Sequence, residues 1–122
     1  MRPLRPFLLA AALALASYGL ACAHALPMTE EPPAGASVAT APAAVSITFT
    51  ESIDPHFSGI IVENADGRRA DDGSDRPDPN NAKRLSVGLK QPVAPGTYKV
   101  IWHALSRDGH RTQGSYRFSV TP

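Results

Sequence analysis

The chain has 122 residues, with twelve basic side chains (lysine and arginine) against eleven acidic ones and a formal net charge of +1. This length suits one domain, and the nearly balanced charge argues against a protein that binds nucleic acid or an anionic membrane. A single cysteine, Cys22, leaves the chain without an internal disulfide, so the fold must be stabilised by packing alone.

The first 23 residues have the layout of a secretory signal peptide. Arg2 and Arg5 form a basic start, and residues 7–20 form an apolar run dominated by alanine and leucine. That run is too short to span a bilayer comfortably, because a transmembrane helix needs about 20 apolar residues. The small residues at the two ends of Ala21–Ala23 then provide a cleavage site.

Cleavage after Ala23 makes His24 the first residue of an exported domain, residues 24–122. A lipoprotein signal ending at Cys22 is the alternative, but Gly19 stands three residues earlier, where such signals normally carry leucine. The exported domain keeps ten basic and eleven acidic side chains, a net charge of −1, and contains no later hydrophobic run to anchor it. We therefore expect a periplasmic domain without a membrane anchor.

From residue 26 onwards, short β-like runs alternate with turn-rich segments, and no segment has the helical period. Residues 26–42 are rich in proline, which predicts an extended segment or an edge strand. Apolar and polar residues then alternate with the two-residue period of half-buried strands. The strand candidates, with the side chains expected to face the core, are residues 45–50 (Val45, Ile47, Phe49), 57–62, 85–89, 98–105 (Tyr98, Val100, Trp102) and 116–120 (Tyr116, Phe118, Val120).

Three segments between these runs are predicted to be loops or turns. Residues 63–84 contain the turn pair Asp66-Gly67 and almost no apolar side chain, which is typical of a mobile polar loop. Residues 92–96 predict a turn around Pro95-Gly96, and residues 106–113 predict a polar loop. Short alternating strands separated by proline and glycine turns indicate an all-β antiparallel sandwich or small barrel.

The most pointed arrangement of chemically active residues is Asp108-Gly109-His110. In an extended segment, residues two apart project to the same side, so Asp108 and His110 can offer an oxygen and a nitrogen to one point. If His24 is the first residue, its α-amine and imidazole Nδ1 add two nitrogens, and this tetragonal set suits Cu(II). Taken alone, however, Asp-Gly-His is also ordinary turn chemistry.

Several ordered motifs together resemble the CopC-type periplasmic copper-resistance proteins, over essentially all of residues 24–122. They are His24-Ala25, Pro33-Ala34-Gly35, Phe49–Ile53, Pro95–Val100, Trp102–His110 and Gly114–Phe118. The resemblance implies a Greek-key β-sandwich or barrel of immunoglobulin-like type. It also implies a Cu(II) site formed by His24, Asp108 and His110, joined in some members by Glu51, and no catalytic residue.

The remaining candidate residues keep plainer interpretations. His56 lies beside Pro55 at a turn, which favours a surface residue. His103 alternates with Trp102, so it is either structural or a support that orients a ligand. Trp102 itself is most simply a core anchor, and Glu51 either flanks a strand or lies at the metal.

Methionine content bears on which copper ion is bound. Some relatives hold Cu(I) in a methionine-rich loop, because Cu(I) prefers soft thioether sulfur. Met28 is the only methionine in residues 24–122. The sequence therefore predicts one Cu(II) ion per chain and no Cu(I) methionine site.

These observations predict a monomeric, non-enzymatic Cu(II)-binding protein for copper sequestration or delivery, with an inner-membrane copper transporter as a candidate partner. One alternative is a copper oxidoreductase with a histidine-brace site. Asp108 would fill a coordination position there, and 99 residues leave little room for a substrate groove. The other alternative is a metal-free immunoglobulin-like interaction module.

Overall fold

The computed structural model describes residues 24–122, and the signal peptide predicted over residues 1–23 lies outside the described residues. The described residues form eight strands and contain no helix that is long and apolar enough to cross a membrane. The strands are β1 (Pro27–Glu31), β2 (Ser37–Val38), β3 (Ala44–Phe49), β4 (Gly59–Glu63), β5 (Arg76–Asp78), β6 (Asn81–Gly88), β7 (Gly96–Leu105) and β8 (Arg111–Val120).

The strands form two four-stranded sheets packed face to face. One sheet has the strand order β1-β3-β6-β5 and the other has the order β2-β8-β7-β4. All neighbouring strands are antiparallel except β2 and β8, which are parallel. The chain changes sheet at every connection except β5–β6 and β7–β8, so strands that are consecutive in sequence mostly lie in opposite sheets, as in Greek-key sandwiches. The predicted all-β, immunoglobulin-like fold is confirmed. Of the two predicted architectures, sandwich and barrel, the protein adopts the sandwich.

The core lies between the sheets and is built from the side chains that the two-residue period predicts. Val45, Ile47 and Phe49 of β3 are completely buried. The ring of Phe49 meets that of Trp102 edge to face, with centroids 5.4 Å apart. A Cβ atom on Gly114 would lie 2.7 Å from Cζ2 of this indole, so β8 needs glycine there. Also buried as predicted are Tyr98, Val100, Trp102, Tyr116, Phe118 and Val120.

The prediction of a mobile polar loop over residues 63–84 is wrong in its second half. Arg76–Asp78 forms β5 at the edge of a sheet, and its partner β6 already begins at Asn81. These residues are largely exposed and show no apolar alternation. Their pairing depends on backbone hydrogen bonds, which leave no mark in the side-chain pattern. The Asp66-Gly67 turn is present, with Gly67 at a φ of 77°.

Two other predicted boundaries shift. The polar loop predicted over residues 106–113 is shorter, because β8 begins at Arg111. The β-prone run at 57–62 forms a strand only from Gly59, and Phe57 is 57% exposed in the preceding turn. By contrast, the proline-rich segment at 26–42 does contain extended edge strands, β1 and β2, one in each sheet.

Asp71 joins the segment after β4 to the sandwich. This buried carboxylate accepts hydrogen bonds from the Val62 N–H at 2.8 Å, from Arg69 Nε at 2.7 Å and from the Gly73 N–H at 3.1 Å. Burial by itself raises the pKa of Asp71. The hydrogen bonds, led by those from Arg69, outweigh burial and lower the pKa to about 2. Ionised Asp71 is therefore part of the folded structure.

This arrangement predicts an acid-sensitive contribution to stability. The pKa of Asp71 is lower in the folded protein than its ordinary value of 3.8, so its contribution to stability is complete above that value and is lost as the pH falls towards 2. We expect the group to account for about 2 kcal/mol of the decrease in the free energy of unfolding between pH 5 and pH 2. Urea unfolding across this range should show a flatter pH dependence for Asp71→Asn. Asp66→Asn, at an exposed turn, serves as the control, and an unchanged slope in Asp71→Asn would contradict the assignment.

Candidate metal centre

A tight turn between β7 and β8 carries Asp108 and His110. The Ser106 N–H donates to the His110 carbonyl at 2.9 Å, and the Gly109 N–H donates to the Ser106 carbonyl at 3.0 Å. Gly109 has a φ of 91°, in the left-handed region that favours glycine. The local sequence therefore closes the β7–β8 hairpin with the two candidate ligands on either side of its glycine.

The buried hydroxyl of Ser106 fixes this turn from within. Ser106 is 2% exposed. Its hydroxyl donates a hydrogen bond to Oδ1 of Asp108 and accepts one from the His110 N–H at 3.2 Å. Because one buried hydroxyl contacts both the Asp108 carboxylate and the His110 backbone N–H, Ser106 is a positioning residue for the pair. It is absent from the sequence-predicted site, although a serine two residues before an aspartate is a recognisable turn signal.

Asp108 and His110 also contact one another. Oδ2 of Asp108 lies 3.1 Å from Nδ1 of His110, and both side chains are less than half exposed. Adjacent ligands at about 2 Å from a tetragonal ion are separated by roughly 2.9 Å, so this spacing suits two donors to one metal. The pKa of Asp108 lies below its ordinary value, chiefly because the Ser106 hydroxyl donates to it. The carboxylate is thus ionised and able to bind a cation at neutral pH.

His24 reaches the same place from the start of the described chain. Its imidazole ring lies edge to face against that of His110, with ring centroids 4.9 Å apart and planes at 72°. Both histidines are exposed. The structure therefore places three of the four sequence-predicted ligands side by side as two pairs that share His110: His24 with His110, and Asp108 with His110.

The backbone around His24 is anchored to both sheets. The Thr50 hydroxyl donates to the His24 carbonyl at 3.0 Å and accepts from the Leu26 N–H at 3.1 Å. The Thr112 hydroxyl donates to the carbonyl of the fully buried Ala25 at 2.6 Å. Thr50 follows β3 and Thr112 lies on β8, so the packed sandwich sets the position of His24. Neither threonine is among the sequence-predicted site residues.

The comparisons with known proteins now decide the family. Residues 28–121 match the CopC domain model. The chain belongs to the CopC domain family. It is 37% identical over 98 residues to protein YobA of Escherichia coli (strain K12), and the aligned region covers 80% of this chain and 79% of YobA. It is 32% identical over 118 residues to copper resistance protein C of Xanthomonas campestris pv. juglandis, covering 93% of this chain and 90% of that protein.

A solved structure supports the same relationship. PcoC, a methionine-rich copper resistance protein from Escherichia coli, matches this CopC domain with a TM-score of 0.71 and 28% identity. The match covers 81% of this chain and all of PcoC. Residues 24–122 of the present chain contain one methionine, Met28, which is exposed on β1. The two CopC domains therefore share a fold and differ in methionine content.

Glu51 lies at the same end of this CopC domain, directly after Thr50. Together with Ser106 and Asp108 it lines an open depression of about 280 Å³. Within residues 24–122, no three side chains of the types His, Cys, Asp and Glu are placed closely enough to hold a metal by themselves. The site therefore consists of close pairs, with Glu51 at its border.

The other two histidines lie outside this group. His103 points to the outer face of its sheet, opposite Trp102, and its Cε1 lies 2.8 Å from where a Cβ atom of Gly59 would be. His56 is exposed and shares a cavity with His103, separate from the depression at Asp108. The surface interpretation of His56 is thus confirmed, and His103 is a surface residue too.

Proposed function

We propose that residues 24–122 form a periplasmic protein that binds one Cu(II) ion through His24, Asp108 and His110, with Glu51 as an outer contact. The observation that carries this proposal is the convergence of His24 with the Asp108–His110 pair. The ring centroids of His24 and His110 lie 4.9 Å apart, and Oδ2 of Asp108 lies 3.1 Å from Nδ1 of His110. Two imidazoles and an ionised carboxylate from distant parts of the chain thus meet on one exposed surface.

The donor chemistry favours Cu(II). Cleavage after Ala23 would free the α-amine of His24, which can close a chelate ring with Nδ1 of the same residue. The His110 imidazole and the Asp108 carboxylate complete a set of three nitrogens and one oxygen. Such a tetragonal set suits Cu(II), which also has the highest affinity among the common divalent first-row ions. The amine supplies the donor that the side chains alone do not.

Family membership supports copper as the metal, since relatives carry copper resistance in their names. We infer a binding role and not an enzymatic one, because Asp108 occupies a coordination position that a reacting molecule would need. The protein then acts as a monomer that sequesters Cu(II) or delivers it to a copper transporter of the inner membrane. With Met28 alone, it holds no Cu(I) methionine site.

Titration of the purified protein that begins at His24 tests this function. We expect one equivalent of Cu(II) to bind tightly, in competition with a chelator of known affinity, and far more tightly than Zn(II). Electron paramagnetic resonance should show an axial Cu(II) signal with coupling to three nitrogens. The lack of tight one-to-one binding would overturn the proposal. Oxidation of an added substrate with dioxygen would point instead to an oxidoreductase.

A further inference from the structure

The outer face of the β2-β8-β7-β4 sheet contains a groove that the metal site does not use. Two adjoining open depressions, of about 630 and 540 Å³, share His103 and Gln113. The first extends to His56, Phe57 and Arg111, and the second extends to Lys99 and Ile101. We call this continuous feature the sheet groove. His103 on β7 and Gln113 on β8 lie side by side in the groove because they are paired in the β7–β8 ladder.

The charge of the sheet groove differs from that of the whole domain. Residues 24–122 carry a net charge of −1. Nevertheless, Arg111 and Lys99 line the groove, and no acidic side chain does. Two carboxylates stand at its β4 border, where Asp75 approaches Gly59 beside His103 and Glu63 pairs with Lys99. Arg117 on β8 pairs with Lys99, so the cations lie along the β7–β8 side of the groove and the carboxylates along its β4 border. The cationic side is complementary to a negatively charged occupant.

The groove also offers apolar contacts. Ile101 on β7 and Ile61 on β4 are paired and face outwards, each partly exposed. At one end, Phe57 is 57% exposed, one of three large hydrophobic side chains exposed in residues 24–122. Partly buried aliphatic side chains flanked by arginine and an exposed aromatic residue are common in protein interfaces. The occupant should therefore alternate acidic and apolar side chains.

We propose that the sheet groove docks an extended acidic segment of a partner protein. The concave shape favours a peptide segment over a membrane surface, and two groove cations are fewer than the about four to eight that hold proteins on anionic lipids. Arg111 directly follows His110, so the docked segment ends beside the metal centre. The docking rests on the groove alone. Docking beside that centre would allow copper to pass to the partner, and this role rests on the proposed function.

Nuclear magnetic resonance of ¹⁵N-labelled residues 24–122, free of copper, tests the docking. The probe is a ten-residue peptide that alternates aspartate with leucine, and its matched control has asparagine in place of aspartate. We expect concentration-dependent shifts of the amides in residues 99–103 and 111–115 with the acidic peptide only. Salt should weaken the interaction, because it screens exposed charges. Equal shifts with the control peptide, or shifts on the other sheet, would overturn the proposal.

Two charge-reversal double variants, one inside the groove and one outside it, test whether the groove cations bind the peptide. The double variant Lys99→Glu and Arg111→Glu should bind the acidic peptide at least about tenfold more weakly. Lys83→Glu and Lys90→Glu reverse two exposed cations outside the groove, and should leave peptide binding unchanged. Equal losses in the two double variants would overturn the docking site. Binding to vesicles of anionic phospholipid is measured as well. If the vesicles bind more tightly than the peptide and the groove variant weakens both, the partner is a membrane surface and the proposed protein partner is overturned.

Copper titration of the same samples separates this inference from the proposed function. If the peptide binds but Cu(II) does not bind tightly, the docking proposal stands and the proposed copper function is overturned. If Cu(II) binds tightly but the peptide does not bind, the proposed function stands and the docking proposal is overturned.

Discussion

A protein with one extra glycine before His24 is expected to bind Cu(II) on the order of 100 to 1,000 times more weakly than the protein that begins at His24. The extension keeps the imidazole but converts the α-amine into an amide, which removes one donor and its chelate ring. Four-ligand structural Zn²⁺ sites in small domains bind with about 10–16 kcal/mol, and an equal share for one donor is roughly 2.5–4 kcal/mol. Competition titration with a chelator of known affinity measures the loss.

Two further variants make this prediction specific. His24→Ala in the unextended protein removes the imidazole and breaks the same chelate ring, so we expect a loss of similar or greater size. His56→Ala removes an exposed histidine from a separate cavity and should leave Cu(II) affinity unchanged. All variants should keep the thermal stability of the parent, because His24 is exposed. Unchanged affinity in the extended protein would mean that the α-amine is not a ligand.

Ser106→Ala is expected to weaken Cu(II) binding by about 10-fold to 100-fold, although Ser106 contacts no metal in the proposed set. Its hydroxyl holds both Asp108 and the His110 backbone N–H. Without it, the turn loses its internal support. The pKa of Asp108 also rises, because that hydroxyl is the main cause of its lowering. Cu(II) affinity at several pH values, with the paramagnetic resonance spectrum of each complex, measures the effect.

Ser58→Ala provides the matched control for Ser106→Ala. Ser58 is also buried, and its hydroxyl also accepts a backbone hydrogen bond, from the Leu105 N–H at 3.0 Å. Both substitutions should lower the free energy of unfolding by about 1 kcal/mol, because each removes the acceptor of a partly buried backbone N–H. Only Ser106→Ala should change copper affinity. Equal affinities in the two variants would make Ser106 a merely structural residue.

The sandwich explains why the candidate ligands meet at one end of the molecule. His24 enters before β1, Glu51 follows β3, and the Asp108–His110 turn joins β7 to β8. The β7–β8 ladder supports that turn with a continuous register from Gly96 opposite Val120 to Leu105 opposite Arg111. Ligands at the ends of paired strands are held more precisely than ligands within long loops.

Apolar spacing and turn residues are enough to predict the core and the turn at Asp108-Gly109-His110. The side chains of a strand alternate between its two faces, so the inward positions of β3, β7 and β8 follow from apolar spacing. Gly109 likewise marks a tight turn through its backbone freedom. Where that spacing is missing, as in β5 and the start of β6, the prediction failed, because the edge pairing of these two neighbouring strands depends on backbone hydrogen bonds and not on apolar side chains.

Which side chains meet depends on tertiary packing. His24 reaches His110 because Thr50 and Thr112, from different sheets, hold the backbone of residues 24–26 between them. Ser106 acts on Asp108 and His110 because packing buries its hydroxyl beneath the turn. The sheet groove likewise arises from the register that aligns three strands. Local periodicity specifies the faces of single strands, whereas a site made from several strands depends on how the sheets pack.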